Sequence, residues 1–314
     1  MEQIKVSILC LAYNHEKHIR NALDGFVMQK TDFPFEVLIH DDASTDKTAE
    51  IIKEYEEKYP NIIKPIYQTQ NQYSMGVKIS RTYLHPRVRG KYIAWCEGDD
   101  CWTDPLKLQK QVDFLDSNDD YSVCGHRVCV NDLSNNIKTN IPAISNDRDY
   151  SADEIIRAGA LFQLSSIMYR TELFFKKPKC FDAKGFGDIQ LYIYGAICGK
   201  FRVLKDVMST YNYGTSGSWT ERVARNKEKN ILHSQEKIRM LERVNEYYDY
   251  VYNDSIIYAI NRAKFNIAYE MNDKKEMKRP EYKEFYKARK KLNRTNFLKK
   301  HFPFLAKIKH LFKK

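Results

Sequence analysis

The 314-residue sequence predicts an α/β fold in which a doubly wound, mainly parallel sheet is followed by a C-terminal helical region. Strand-like and helix-like segments alternate through the first 130 residues, as they do in parallel sheets with helical crossovers. The first strand-like run, residues 6–12 (VSILCLA), is almost wholly apolar, as expected of a strand covered on both faces. Beyond residue 220 the pattern is almost wholly helical.

The individual elements follow one another at the spacing of such a sheet. Strands are predicted at 6–12, 35–40, 62–67, 91–96 and 121–130. Helices are predicted at 16–28, at 44–59 and from residue 104 to 115, where Pro105 suits a first helical turn. Residues 131–150 are polar and rich in turn formers, so we expect a loop there. The later segments predict a short helix near 153–158, a strand at 162–169, a helix at 189–198 and a strand at 201–205.

The end of the chain is far more basic than the rest. Residues 273–314 contain 16 Lys or Arg and 4 Asp or Glu, whereas residues 1–272 contain 36 basic and 37 acidic residues. The net charge of +11 therefore comes from a basic tail on an electrically balanced body. This distribution favours a localised surface contact and argues against nucleic acid as a partner.

Glycine-rich phosphate loops are missing from the sequence. It contains neither a G-x-x-x-x-G-K-[ST] loop nor a G-x-G-x-x-G fingerprint after the first strand, and no G-x-S-x-G nucleophile elbow. A bound nucleotide would then need another positive charge against its phosphates. A divalent cation held by carboxylates can supply that charge.

Two acidic clusters follow predicted strands. The acidic segment, residues 97–100 (EGDD), comes directly after one strand, and the aspartate pair, Asp41 and Asp42, ends another. Because ligands of parallel sheets bind at the carboxyl ends of the strands, both clusters are candidates for one ligand site. Taken alone, the acidic segment is equally compatible with a solvated turn, and the pair also fits a helix-capping box.

Four motifs in order resemble the signature of the family 2 glycosyltransferases with the GT-A fold. They are VSILCLAYN at 6–14, DDASTDKT at 41–48, YIAWCEGDD at 92–100, and CWTDPLKLQKQVDFL at 101–115. The last of these, and the segment at 187–220, are similar to a bacterial branch that acts on surface polysaccharides. The resemblance implies a GT-A domain at 1–220, with a nucleotide-sugar half at 1–130 and an acceptor and catalytic half at 131–220. Residues 221–314 would form a helical region.

The resemblance also implies roles for individual residues. Asp188 takes the place of the catalytic base. Glu97, Asp99 and Asp100 would hold Mn²⁺ or Mg²⁺, with Asp99 also near the ribose. The residues implied to bind the donor are Ala12, Tyr13, Asn14, Glu16, Asp41, Asp42, Asp99 and Trp219. Many family members carry a metal-binding His near the position of Gly214, and this chain does not.

The expected reaction is an inverting, non-processive transfer of a sugar from a nucleoside-diphosphate sugar, with UDP as the family-level expectation. The acceptor would be a hydroxyl of a surface glycan or a lipid-linked glycan. Two alternatives stay open at this stage. A sugar nucleotidyltransferase would share the sheet and the acidic site, and a non-catalytic nucleotide-sugar-binding protein would explain the missing His.

The basic tail predicts a membrane contact. Residues 302–314 place aromatic and aliphatic side chains on one helical stripe and lysines off it, which suits an anionic membrane surface. No signal-peptide profile or long apolar stretch occurs in the sequence. We therefore expect a cytoplasmic protein, peripheral on the inner membrane face through 297–314. Docking of the tail on the protein's own body is the alternative.

Overall fold

The computed structural model describes residues 3–133, 135–159, 161–183, 187–215 and 226–301, with side chains as far as residue 293. The chain divides into two compact units. The first is made largely of the described residues up to 215 and the second of residues 226–301. The expected domain boundary at residues 220 and 221 stays a prediction.

A sheet of ten strands forms the first unit in the described part of the chain. The strands are β1 (Val6–Ala12), β2 (Phe35–Asp41), β3 (Ile63–Tyr67), β4 (Tyr92–Trp95), β5 (Cys101–Trp102), β6 (Tyr121–Asp132), β7 (Ile137–Ile141), β8 (Arg148–Tyr150), β9 (Met168–Arg170) and β10 (Lys200–Tyr213). Their main order is β3-β2-β1-β4-β9-β6-β10-β5, with β7 beside β6 and β8 beside β10. The first four are mutually parallel, β6 pairs with β10 in parallel, and β9 runs antiparallel between β4 and β6.

Helices cover this sheet and build the second unit. In the first unit they are α1 (Ile19–Val27), α2 (Thr48–Lys58), α3 (Lys107–Asp116), α4 (Ala152–Ala158), α5 (Thr171–Lys176) and α6 (Gly187–Cys198). In the second they are α7 (Lys227–Tyr247), α8 (Asn253–Glu270) and α9 (Lys283–His301). No helix in the described ranges is long and apolar enough to cross a membrane.

Burial explains why the sheet forms where the apolar runs lie. All seven residues of β2 and six of the seven in β1 are buried, because α1, α2 and α3 pack their apolar faces against the sheet. Such strands lose apolar surface on both faces, at roughly 25 cal/mol per Å² removed from water. The predicted mainly parallel α/β fold with a helical C-terminal region is confirmed.

Two local predictions were wrong. The expected loop at 131–150 contains the strands β7 and β8. Most of their residues are exposed, so these strands lack an apolar pattern, and they form because they pair with β6 and β10. The expected strand at 162–169 is reduced to β9, because Leu164–Ser166 forms a 3-10 turn. Ser165 and Ser166 in that turn are fully buried and make polar contacts that an extended strand would not allow.

Candidate active site

The carboxyl ends of β1, β2 and β4 meet at one edge of the sheet. Ala12 ends β1 directly opposite Asp41 in the parallel register. The Asp42 N–H donates to the carbonyl of Ala12 at 3.0 Å, and the Gly98 N–H donates to the carbonyl of Leu11 at 2.9 Å. The aspartate pair and the acidic segment are thus both tied to the last residues of β1.

Hydrogen bonds join the segment after β1 to the segment after β2. Asn14 adopts a left-handed backbone conformation with φ of 55°, and its Oδ1 accepts a bond from the Thr45 N–H at 2.8 Å. Glu16 accepts from the Lys47 N–H at 3.3 Å. Asn14 and Glu16 therefore shape the loops, whereas Tyr13 is 41% exposed at the tip of β1 and offers an aromatic face to a ligand.

The carboxylates of the aspartate pair are bonded to the protein. Asp42 is buried and accepts from the N–H groups of Gln72 and Tyr73 at 2.8 and 3.0 Å. Asp41 is buried and accepts from the Ser44 hydroxyl at 2.5 Å and from the Ser44 N–H at 3.2 Å. Burial raises the pKa of Asp41, and the bonds from Ser44 oppose that shift. Asp42 in particular anchors the loop that follows β3.

The acidic segment has fewer donors. Asp100 is buried, and its Oδ1 accepts from the Asn212 N–H at 3.1 Å. Asp99 Oδ2 accepts from the Thr215 hydroxyl at 3.1 Å, and the Asp99 carbonyl accepts from the Asn212 side chain at 2.8 Å. The end of β10, where the expected His is missing, thus supplies neutral donors to both aspartates.

Charge in the acidic segment is not balanced by the protein. None of its three carboxylates forms an ion pair with Lys or Arg in the described part of the chain. Burial, followed by the charges of Asp99 and Glu97, raises the pKa of Asp100 well above its ordinary value. Glu97 is more exposed than Asp100, and desolvation followed by the charges of Asp99 and Asp188 raises its pKa.

These carboxylate oxygens are the donor type that hard divalent cations prefer, so the residues fit Mg²⁺ or Mn²⁺. A closed cage is not formed, since no three His, Cys, Asp or Glu side chains converge as metal ligands among the described residues. A cation here would therefore complete its coordination with ligand oxygens and water.

Asp188 lies in the first turn of α6. Its Oδ1 accepts from the Ile189 N–H at 2.8 Å, as is common for a carboxylate at a helix N-terminus. The negative charge of Asp188 contributes to the raised pKa of Glu97. Asp188 therefore acts electrostatically on a carboxyl of the acidic segment that precedes it by 91 positions in the sequence.

Sequence reasoning missed His15, which contacts this segment. A Cβ atom on Gly98 would lie 2.8 Å from His15 Nδ1, so a side chain at position 98 would displace the imidazole. His15 Nδ1 is buried and has no hydrogen-bond partner in the described ranges. Burial lowers its pKa, and the charge of Asp99 opposes that shift. The Tyr-Asn-His-Glu order at 13–16 gave no indication of this contact.

Two predictions fall outside the described part. Trp219, expected to close over the donor, lies in the range 216–225. The amphipathic stripe at 302–314 lies beyond residue 301. Both stay predictions.

Comparison with known proteins identifies the family. Residues 7–184, more than half of the chain, match the model of glycosyl transferase family 2. The chain belongs to this family. The chain is 39% identical over 217 residues to an uncharacterized protein of Mycobacterium tuberculosis, a match that covers 68% of this chain and 60% of that protein.

Two further proteins are similar to this chain, one in sequence and one in fold. The chain is 32% identical over 110 residues to the putative teichuronic acid biosynthesis glycosyltransferase TuaG of Bacillus subtilis, covering 35% of this chain and 41% of TuaG. The fold is similar to that of S. aureus TarS 1–349, solved in complex with UDP-GlcNAc, with a TM-score of 0.56 and 17% identity over 85% of this chain and 81% of TarS 1–349. This similarity confirms the GT-A fold.

Proposed function

We propose that this glycosyltransferase moves a sugar from a nucleoside-diphosphate sugar, most simply a UDP-sugar, to a hydroxyl of a glycan or lipid-linked glycan acceptor. The observation that carries the proposal is the acidic segment at the carboxyl edge of the sheet, which lies beside the aspartate pair and forms no ion pair with Lys or Arg in the described part of the chain. The similarity to TuaG supports a bacterial cell-surface polysaccharide as the product.

The donor nucleoside would bind at the end of β1. The exposed ring of Tyr13 can stack on the base, and Asp41 can accept a hydrogen bond from it. Asp99 and Asp100 would hold Mn²⁺ or Mg²⁺, with Glu97 in support. When bound, that cation supplies positive charge against the diphosphate and so stabilises it as a leaving group.

Asp188 would act as the base. Its carboxylate accepts the proton of the acceptor hydroxyl while that oxygen attacks the anomeric carbon. The nucleoside diphosphate leaves from the opposite face, so a single displacement inverts the anomeric configuration.

A thermal-shift panel of UDP-, GDP- and dTDP-sugars, each with and without Mn²⁺, tests donor binding. One nucleotide sugar should stabilise the chain in the presence of Mn²⁺ by an amount set by its Kd, and Asp100→Ala should abolish the shift. Stabilisation by none of them contradicts the proposal. Release of pyrophosphate from a nucleoside triphosphate and sugar phosphate would favour the nucleotidyltransferase alternative.

Asp188→Ala separates catalysis from binding. It should abolish transfer to the acceptor and leave the donor-induced thermal shift and slow donor hydrolysis intact. Asp113→Asn, an exposed change on α3, is the matched control and should leave all three unchanged. Transfer that survives in Asp188→Ala rules out this residue as the base, and binding without turnover in the unchanged protein favours the non-catalytic alternative.

Through residues 297–314, the basic tail would attach the enzyme to an anionic membrane surface, where lipid-linked acceptors reside. The full chain should sediment with vesicles containing phosphatidylglycerol and be released by high salt. Equal recovery in the supernatant with and without vesicles contradicts this attachment.

A further inference from the structure

Lys107 is a buried cation without a carboxylate partner. Its side chain is fully buried at the first residue of α3, and it forms no ion pair in the described part of the chain. Nζ lies 3.9 Å from the centre of the Trp102 ring and donates to Gln111 Oε1 at 2.7 Å. The other titratable groups around it are the thiols of Cys96 and Cys124 and the imidazole of His126, none of which balances a full charge.

This placement is unfavourable for folding. Burial lowers the pKa of Lys107 to about 7, so the protein favours removal of its charge. The first turn of a helix is also the positive end of the helix dipole, where a cation is disfavoured. An apolar side chain of similar length would avoid both costs, so the lysine calls for a reason other than stability.

The hydrogen bond from Lys107 fixes the orientation of a buried amide. Since Gln111 Oε1 accepts from the lysine, both N–H groups of the amide face the other way. Gln111 Nε2 donates to the carbonyls of Cys124 at 2.6 Å and Ser166 at 2.9 Å. With an apolar residue at 107, the amide oxygen would lose its partner and the amide could rotate away from these carbonyls.

The same turn is held a second time by Trp102, over whose ring the lysine lies. Trp102 Nε1 donates to the carbonyl of Ser165 at 2.9 Å. Two consecutive carbonyls of the 3-10 turn Leu164–Ser166 are therefore held by residues that contact Lys107. Because Ser165 and Ser166 are fully buried, their carbonyls depend on donors from the protein.

Ser165 connects this turn to the acidic segment. Its hydroxyl lies 3.2 Å from that of Ser209 on β10. Three residues further along β10, the Asn212 N–H donates to Asp100 Oδ1 at 3.1 Å. Trp102, which holds the Ser165 carbonyl, pairs with Ser209 and follows Asp100 by two residues.

We propose that Lys107 is a positioning residue for Asp100. Lys107 acts through Gln111, Trp102 and the Leu164–Ser166 turn to hold Ser165 against Ser209 of β10, the strand whose Asn212 N–H binds the Asp100 carboxylate. The proposal rests on the proposed function in one respect, that Asp100 binds the donor's cation. Residues that support a metal ligand through hydrogen bonds typically change metal affinity by about 10- to 100-fold when they are lost.

Lys107→Met tests the proposal because it should change metal affinity far more than stability. The metal-free variant should unfold in urea near the midpoint of the unchanged protein, because relief of a buried charge offsets the loss of the donor to Gln111 Oε1. Its Kd for Mn²⁺, titrated in the presence of UDP, should rise about tenfold. Lys107→Gln, which keeps a donor, should recover part of that affinity.

Lys110→Met is the matched control on the same helix. Lys110 is half-buried and bridges Asp104 and Asp206 at 2.8 and 2.7 Å, but it has no link to the turn. Its loss should lower stability slightly and leave the Kd for Mn²⁺ unchanged. An equal loss of Mn²⁺ affinity in Lys110→Met would show a general effect of α3 and overturn the proposal.

Ser165→Ala cuts the last link and covers the case in which Lys107→Met does not fold. It should weaken Mn²⁺ binding as much as Lys107→Met, and the double variant should be no weaker than either alone. Additive losses, or unchanged Mn²⁺ affinity in Lys107→Met or Ser165→Ala, overturn the pathway. Failure of the unchanged protein to bind Mn²⁺ with UDP would instead refute the proposed function, and this proposal with it.

Discussion

The aspartate pair and the acidic segment look alike in the sequence but differ in how the protein solvates them. Asp42 is bonded to two backbone N–H groups, and Asp41 to both donors of Ser44. Burial raises the pKa of Asp41 and of Asp100, but the bonds from Ser44 oppose the shift at Asp41, whereas the charges of Asp99 and Glu97 add to it at Asp100. The first cluster therefore builds the loops, and the second offers carboxylates that a cation can bind.

Asp100→Asn should give the largest effect. Donor turnover is expected to fall on the order of 10²- to 10³-fold, since charge stabilisation of the leaving group is lost. The metal-free protein should at the same time become more stable, because a raised carboxyl pKa means that the folded state disfavours the charge. Steady-state rates and urea midpoints check the two effects. If metal-free Asp100→Asn is instead less stable than the unchanged protein, the acidic segment does not differ from the aspartate pair.

Asp42→Ala should act mainly on folding. The N–H groups of Gln72 and Tyr73 lose their hydrogen bonds to this charged acceptor, and such a bond contributes about 1.5–3 kcal/mol. Urea unfolding of the metal-free variant measures the loss. If stability is unchanged while donor affinity collapses, Asp42 is a ligand-contacting residue and the comparison fails.

The pH dependence of stability should differ with and without metal. The folded pKa of Asp100 lies above its ordinary value of 3.8, so its contribution is fully present below that value and is lost as pH rises through the folded pKa. This group can lower stability by at most about 1.4 kcal/mol per pH unit. Urea midpoints between pH 5 and 8 should fall more steeply in the unchanged protein than in Asp100→Asn. Saturating Mn²⁺ should reduce that slope, and identical slopes in both proteins would contradict the assignment.

Glu16→Gln should give the smallest effect. Glu16 is exposed and accepts one long bond, from the Lys47 N–H at 3.3 Å, so its replacement should change stability by less than about 0.5 kcal/mol. Donor Kd, measured by titration, should stay within twofold. A large rise in the Kd would restore Glu16 to the donor site that the family resemblance implies.

The core of the fold was predictable because local patterns decide it. Continuous or alternating apolar residues predicted β1 to β4 and β6, and apolar residues spaced three and four apart predicted the helices between them. The sequence did not reveal β7, β8 or the turn at Leu164–Ser166. These depend on pairing partners and on buried polar contacts made by residues distant in the chain.

The amino-acid sequence was enough to predict the main sheet, the place of both acidic clusters at its carboxyl edge, and the family. The hydrogen-bond donors of each carboxylate could be read only from the tertiary structure. Their donors come from far along the chain, as Gln72 does for Asp42 and Asn212 for Asp100. The full burial of Lys107 was likewise visible only in the folded structure, because the helix pattern around it is ordinary. A charge's free energy depends on the dielectric and the donors around it, and these exist only after the chain has folded.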